Sequence, residues 1–154
     1  MAYDEHWGPG SGEGSVASIN WVEKAVTNTL AEGVPSEQIV LGMPFYSKIW
    51  TLTPTIDKET NEVTYSINDK AYGMTYSKNW MNNHVKEPVW LEDCGQWYGE
   101  YTEDDVIYKL WLEDNDSLIK RLELMKENSL AGAAFWRSGF DNKEIWDTII
   151  KYIN

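Results

Sequence analysis

Short apolar runs, each followed by an amphipathic helical segment, constrain this chain most. Residues 39–43 (IVLGM) and 131–136 (AGAAFW) are apolar without the period-two alternation of a half-buried strand. Such runs are typical of strands that are covered on both faces of a parallel sheet. A shorter apolar run at residues 1–3 is interpreted as the end of a third strand of the same kind. The sequence therefore predicts parallel strands with helices outside them, an α/β architecture.

A helix is predicted after each run. In SINWVEKAVTNTLAEG the residues Val22, Val26 and Leu30 recur at helical spacing, and Gly33 marks the end. DSLIKRLELMKENSL repeats the pattern, and DNKEIWDTIIKYI forms the last helix. The predicted capping residues are Asn20 with Glu23, Asp116, and Asp141 with Glu144.

The middle of the chain has a different character. TLTPTIDKETNEVTYSI predicts a hairpin with its turn at residues 58–61, and TYSKNWMNNHV predicts a short helix. Three short β-rich runs follow between residues 89 and 114. We therefore divide the chain into residues 1–50 with 113–154, which carry the parallel strands, and a small α+β insertion at 51–112.

The amino-acid composition excludes some classes of binding partner and favours others. The chain of 154 residues carries 25 acidic and 13 basic side chains, a net charge of −12, so it repels nucleic acid and anionic membranes. Nine Trp and nine Tyr against three Phe favour wet, aromatic-lined grooves over simple core packing. A neutral, hydroxyl-rich ligand such as a sugar fits both observations. The sequence contains no apolar run of the roughly 20 residues that cross a bilayer.

The motifs that usually hold metals or cofactors do not match. GPGSGEG at residues 8–14 has no phosphate-loop register and carries a glutamate where an anion would sit. His6 lies beside Asp4 and Glu5, but His84 is the only other histidine, and the single cysteine, Cys94, forms no pair. We therefore expect no metal and no cofactor.

Two polar features stand at predicted strand ends. Tyr3 and Asp4 end the first run, and Trp136 ends the AGAAFW strand. The carboxyl ends of parallel strands meet at one edge of a sheet, where parallel barrels place their chemistry. A phenol, a carboxylate and a flat ring are therefore expected to face one cavity.

These segments resemble glycoside hydrolase family 18, which contains chitinases and related N-acetylglucosaminidases. Residues 1–4 (MAYD) resemble the M-x-Y-D motif of its sixth barrel strand, VPSEQIVLGMPFYS its seventh strand, and AGAAFWRSGFD its eighth. Residues from about 48 to 113 are similar to the insertion after the seventh strand, and EHWGPGSGEGSVASINWVEKAV is most similar to bacterial members linked to spore cortex and cell-wall peptidoglycan. The resemblance implies a partial (β/α)8 TIM barrel, consisting of its last three βα units.

The resemblance also implies roles for individual residues. Tyr3 would position the substrate acetamido group, Asp4 would bind sugar polar groups, Trp136 would stack under the ring, and Tyr46 would face the cleft. The family hydrolyses β-1,4-linked N-acetylglucosamine glycans with retention, by substrate assistance. Its catalytic signature, D-x-x-D-x-D-x-E, does not occur in these residues, and Asp114-Asn115-Asp116 is the nearest approach. The chain alone is therefore expected to be inactive.

Three hypotheses stay open from the sequence. The first is a fragment of a hydrolase that needs the N-terminal part of its barrel as a partner. The second is a non-catalytic, lectin-like glycan-binding module, and the third is a protein-interaction domain. The expected partners are an N-acetylglucosamine glycan, chitin or peptidoglycan, and a second copy of the chain through its uncovered strands. The resemblance places the parent protein outside the cell, in the cell wall or on the spore.

Overall fold

The computed structural model describes residues 1–153, which form two sheets and four α-helices. The strands are β1 Val40–Pro44, β2 Tyr46–Ile56, β3 Val63–Gly73, β4 Val89–Leu91, β5 Gln96–Glu103, β6 Val106–Leu112 and β7 Gly132–Trp136. The helices are α1 Ile19–Ala31, α2 Met74–His84, α3 Asn115–Glu127 and α4 Lys143–Ile153. Short 3₁₀ turns occupy Pro9–Ser11 and Ser36–Gln38.

The parallel part consists of two strands. β1 pairs with β7 in register from Val40↔Gly132 to Pro44↔Trp136, which confirms the strands predicted from the two apolar runs. The predicted strand at residues 1–3 is wrong: this segment is not a strand, and it approaches β1 through a single backbone hydrogen bond from Ala2 to Gly42, 3.0 Å long. Asp4 has a φ of 63°, which turns the chain away before a ladder can extend.

The second sheet is antiparallel and has the strand order β3-β2-β6-β5-β4. The predicted hairpin is confirmed, since β2 and β3 pair from Tyr46↔Gly73 to Ile56↔Val63 around the turn. α2 and the three strands β4, β5 and β6 also match their predicted segments. β2 begins at Tyr46, so it crosses residue 51, where we expected the insertion to start. The division at 51–112 stays a prediction.

The larger core lies on one face of the parallel pair. Buried side chains of α1, β1, α3 and α4 meet there, among them Val22, Met43, Leu118, Leu122 and Ile145. A second buried cluster lies between α2 and the antiparallel sheet, and it consists of Ile49, Trp80, Met81, Val85, Leu110 and Leu112. The main chain joins the two layers where the Met74 N–H donates to Phe140 O at 2.9 Å.

The opposite face of the parallel pair is covered only in part. Ala134 and Trp136 are exposed, and Val40 keeps 56% of its surface in contact with solvent. Gly42 and Pro44 share this face and are buried, with Tyr3 lying over Gly42, so the exposed part of the face lies at Val40 and along β7. The apolar runs predicted the strand type correctly. Burial on both faces is confirmed for residues 41–44 of β1 and is wrong for β7, where Ala134 and Trp136 are exposed.

The predicted cap of α1 is also wrong. α1 begins after Ser18, whose N–H and hydroxyl bond the Glu5 carboxylate at 2.8 and 3.0 Å. An acidic side chain 13 residues upstream therefore occupies the start of the helix, rather than the local pair of Asn20 and Glu23. The predicted end is confirmed at Gly33, with a φ of 86°.

The caps of the last two helices shift by one or two residues. Asp114, not Asp116, caps α3 by accepting the N–H groups of Asp116 and Ser117 at 3.0 and 3.2 Å. At α4 the side chain of Asn142 accepts the Ile145 N–H at 2.9 Å, while Asp141 bonds the preceding loop and the Trp146 indole. The predicted pair of Asp141 and Glu144 is wrong, because Asp141 lies one residue too early to reach the helix N–H groups.

Candidate functional site

Tyr3, Asp4 and Tyr46 come together at the carboxyl end of β1. The Tyr46 hydroxyl donates a hydrogen bond to Asp4 Oδ1, and the rings of Tyr3 and Tyr46 meet edge to face at 6.3 Å between centroids. Tyr46 is buried, whereas Asp4 is exposed. Burial and the neighbouring Asp4 carboxylate raise the pKa of Tyr46 well above its ordinary value. Tyr46 is therefore a fixed, protonated donor that orients Asp4.

Tyr3 and Trp136 lie on the same face of the parallel pair. A Cβ built on Gly42 would lie 3.5 Å from the Tyr3 ring, so Tyr3 covers the Gly42 position. Gly42 is in register with Ala134 and Pro44 with Trp136, and residues two apart on a strand share a face. Trp136 is 54% exposed. Within residues 1–153 no ring contact joins Trp136 to Tyr3 or Tyr46, so the shared cavity stays a prediction.

A lysine that the sequence reasoning missed lies beside this group. Lys48 follows Tyr46 by two residues on β2 and therefore points to the same face. Its ammonium group is buried, pairs with Asp69 Oδ2 at 2.9 Å and donates to the backbone carbonyl of Trp7. The Trp7 ring is 63% exposed. Strand alternation could have identified Lys48, but Asp69 becomes a neighbour only through the hairpin register.

The histidine near the start of the chain has a structural role. His6 Nδ1 lies 3.0 Å from Gly12 O, and its ring packs where a Cβ on Gly14 would be 2.4 Å away. Its neighbour Glu5 caps α1. Among residues 1–153 no group of three or more His, Cys, Asp or Glu side chains is placed to hold a metal ion.

A buried ion pair between Glu113 and Arg121 joins the end of β6 to α3. Glu113 and Arg121 form two parallel bonds at 2.7 and 2.8 Å, and both side chains are almost fully buried. Gln96 and Ser117 also donate to Glu113, at 2.7 and 2.9 Å, and the Glu113 N–H donates to Ser47 Oγ at 2.8 Å. Burial raises the pKa of Glu113, although the Arg121 guanidinium opposes this effect. Because every carboxylate oxygen is occupied, the pair is structural.

Arg121 extends this network to the loop that carries the site. Its guanidinium also donates to the carbonyl of Ala17, and the Ser15 hydroxyl donates to Gln96. The loop between residue 4 and α1 is therefore anchored to the antiparallel sheet and to α3 at once. This anchor fixes the segment that follows Tyr3 and Asp4.

Comparison with known proteins assigns the family. Residues 1–141 match the sequence model of Glycosyl hydrolases family 18. The chain belongs to this family. It is 24% identical to the cortical fragment-lytic enzyme of Bacillus anthracis over 153 residues, which is 98% of this chain and 33% of that protein.

Solved structures show the same fold. The spore cortex-lytic enzyme SleL of Bacillus megaterium superimposes with a TM-score of 0.79 at 23% identity, over 99% of this chain and 32% of that one. A mutant of a plant class V chitinase from Cycas revoluta, in complex with (GlcNAc)3, superimposes with a TM-score of 0.73 at 21% identity, over 100% and 45%. The α/β fold is therefore that of family 18 chitinase domains.

The chain spans about a third of the length of the curated relative from Bacillus anthracis. In residues 1–153 no helix combines the length and the apolar character needed to cross a bilayer.

Proposed function

We propose that this chain supplies the substrate-positioning side of a hydrolase that acts on β-1,4-linked N-acetylglucosamine glycans. The observation that carries the proposal is the group formed by Tyr3, Asp4 and Tyr46 in a member of family 18. In this proposal the chain is the C-terminal part of a (β/α)8 barrel, its last three βα units, and residues 51–112 are inserted after the seventh strand. Its substrate is chitin or peptidoglycan.

The proposed mechanism is retaining and uses the substrate's own acetamido group. The acetamido oxygen forms a bond to the anomeric carbon while the glycosidic C–O bond breaks. An acid outside this chain protonates the leaving oxygen, and water later opens the oxazolinium intermediate. The Tyr3 hydroxyl donates to the acetamido oxygen and aligns it for attack. Asp4, oriented by the Tyr46 hydroxyl, binds polar groups of the sugar, and Trp136 stacks beneath its ring.

The exposed part of the parallel pair supports the proposal that a further segment packs on it. Ala134 and Trp136 are exposed there, and Met1 is 93% exposed at the adjoining edge. Each Å² of apolar surface left in water forfeits about 25 cal/mol. We propose that the N-terminal part of the barrel covers this face in the parent protein and that the isolated chain covers it by self-association. Sedimentation tests this: a clean monomer contradicts self-association.

A non-catalytic, lectin-like module is the second candidate. The absence of D-x-x-D-x-D-x-E from these residues and the exposed Trp136 favour it. A protein-interaction domain has no such support beyond the exposed aromatic side chains. The name of the Bacillus relative, a cortical fragment-lytic enzyme, supports a location in the spore or cell wall for the parent protein.

Hydrolysis of N-acetylglucosamine oligomers tests the proposal. The isolated chain is expected to release no product, because a positioned acid contributes about 10² to 10⁴ in rate and the D-x-x-D-x-D-x-E signature that supplies it in the family does not occur in these residues. The parent polypeptide is expected to cleave the oligomers, and Tyr3→Phe in that polypeptide is expected to lower kcat by about tenfold to a hundredfold. An inactive parent that still binds the oligomers supports the lectin-like candidate. Cleavage by the isolated chain, abolished by Tyr3→Phe, overturns the fragment proposal.

A further inference from the structure

Two adjoining hollows lie between α2, the β4–β5 pair and the start of α3. Their volumes are about 410 and 300 Å³, and Trp97 and Asp116 line both of them. We name this surface the Trp97 groove and define it by the residues that its argument uses, which are Lys78, Asn82, Trp90, Trp97, Asp114 and Asp116. None of the candidate hydrolytic residues belongs to it.

The Trp97 groove and the Tyr46 site lie on opposite faces of the antiparallel sheet. Leu110 is in register with Ile49, and Leu112, two residues further along β6, is in register with Trp97. Trp97 therefore shares the face of Ile49. Tyr46 precedes Ile49 by three residues on β2, so its side chain points to the other face. A ligand in the groove does not compete with one at Tyr46.

The aromatic floor of the groove is held in place. The Trp97 indole N–H donates to Asp116 Oδ2 at 2.9 Å, and the ring meets Trp90 edge to face at 5.4 Å between centroids. Both rings are partly exposed. A flat apolar ring that is already oriented loses little freedom on binding, which favours stacking against the apolar C–H face of a sugar.

The rim presents hydrogen-bonding groups from two helices, and Lys120 on α3 lines it together with the residues below. Lys78 and Asn82 are four residues apart on α2 and lie on the same side of that helix. Asp114 and Asp116 lie opposite, at the start of α3. A sugar hydroxyl both donates and accepts, so neighbouring hydroxyls can bond to both sides of the rim. Two lysines and two carboxylates line the groove, so it carries no excess charge of either sign, and the net charge of −12 on the chain disfavours an anionic ligand.

We propose that the Trp97 groove is a second binding site for an uncharged, hydroxyl-rich glycan chain, separate from the hydrolytic cleft. Such a site would hold a polymeric glycan to the enzyme while another segment occupies the cleft. The inference depends on the groove alone and stands whether or not the hydrolytic proposal does. A proline-rich peptide is the competing occupant, because it also stacks on tryptophan.

Titration of the 154-residue chain with (GlcNAc)3 tests the proposal through the indole N–H signals of its nine tryptophans in ¹H–¹⁵N NMR. The Trp97→Phe variant identifies the Trp97 signal. We expect that signal to shift saturably and to keep shifting in Trp136→Ala, which removes only the cleft platform. Asn82→Ala should weaken the affinity reported by Trp97 about threefold to tenfold, the loss of one hydrogen bond.

Asn83→Ala is the matched control, because Asn83 is exposed on the same helix and does not line the groove. It should leave the affinity unchanged. The proposal is overturned by a Trp97 signal that does not respond, by a response that disappears in Trp136→Ala, or by equal effects of the two asparagine variants. A groove that takes up a proline-rich peptide and ignores the sugar also overturns it. If (GlcNAc)3 shifts the Trp97 signal and leaves the Trp136 signal unchanged, the result counts against the hydrolytic proposal and supports this one.

Discussion

The antiparallel sheet and the parallel pair of strands differ in how their faces are covered. In the antiparallel sheet, α2 packs on one face, and on the other Trp50 is fully buried with its indole N–H donating to Gly14 O at 2.9 Å. In the parallel pair, helices cover one face and the other carries the exposed Ala134 and Trp136. Both faces of the antiparallel sheet are therefore packed around β2, whereas one face of the parallel pair is left exposed along β7.

The exposure of the tryptophan side chains shows which surfaces of the two regions are open to solvent. In the antiparallel sheet Trp50 is part of the packing, while Trp90 and Trp97 on the α2 side are partly exposed. At the open face of the parallel pair Trp136 is presented to solvent. Burial stabilises a fold, and an exposed flat ring on a rigid strand is available to a ligand. The open face is the surface that our proposal assigns to the sugar and to the rest of the barrel.

Replacing one tryptophan in each region tests the comparison most strongly. Trp50→Ala should lower the free energy of unfolding by about 3–5 kcal/mol, because it leaves a large cavity and an unpaired Gly14 carbonyl. Trp136→Ala should change it by less than about 1 kcal/mol, since half of that ring is already in water. Denaturant unfolding measures both. Similar losses for the two variants would mean that the open face is covered in solution.

Arg121→Met tests the ion pair that ties the two regions together. Removing one partner of a buried pair should destabilise the chain by about 3–5 kcal/mol, because Glu113 is left charged and buried. Lys120→Ala, an exposed change on the same helix, should stay within about 0.5 kcal/mol.

The loss of stability in Arg121→Met should depend on pH, because it comes from the charge on Glu113. Without Arg121 the pKa of Glu113 in the folded state rises further, so the folded state binds a proton that the unfolded state has lost. The variant should therefore lose less stability near pH 4 than at pH 7. The double variant Arg121→Met with Glu113→Leu should recover most of the loss. A loss that is the same at both pH values would show that the charge of Glu113 is not the cause.

Local patterns predicted the elements well because their causes are local. The spacing of Leu118, Leu122 and Met125 predicted α3, and all three are buried. The non-alternating runs predicted β1 and β7, and the turn residues predicted the β2–β3 hairpin. The strand ends predicted that Tyr3, Asp4 and Trp136 face one cavity, and the family resemblance added Tyr46. The structure brings Tyr3, Asp4 and Tyr46 together, and the place of Trp136 in the same cavity stays a prediction.

The features that failed depend on distant residues. The cap of α1 comes from Glu5, 13 residues before Ser18, and the partner of Lys48 comes from the register of a hairpin. The burial of β7 depends on whether anything covers Trp136, which no local pattern specifies. Two side chains anchor the loop: Gln96 at the start of β5 and Glu113 just after the end of β6. Neither stands out in the sequence. Sequence periodicity predicts neither the register of paired strands nor the contacts that a side chain makes with distant segments.

The junction between the two regions is tested by a glycine. A Cβ at Gly73 would lie 2.9 Å from the Phe140 Cα and 3.0 Å from its carbonyl oxygen, beside the bond from Met74 to Phe140. Gly73→Ala should therefore cost about 1–3 kcal/mol, because backbone must move. Gly132→Ala is the matched control, since no atom lies within 4 Å of its Cβ position. Equal unfolding free energies for the two variants would show that the junction is loose.

Tyr46→Phe tests the candidate site itself and should have the smallest effect. It removes the bond to Asp4, so the free energy of unfolding at pH 7 should fall by about 0.5–1.5 kcal/mol. This loss of stability becomes smaller at alkaline pH. Because the folded-state pKa of Tyr46 is raised above the unfolded value of about 10, its contribution to stability is complete below pH 10 and is lost as the pH rises further. The difference between the two proteins should therefore shrink above pH 10. Asp4→Asn, which keeps an acceptor but removes the charge, should reduce this alkaline loss, and an alkaline profile shared by all three proteins would mean that the Tyr46–Asp4 bond is absent in solution.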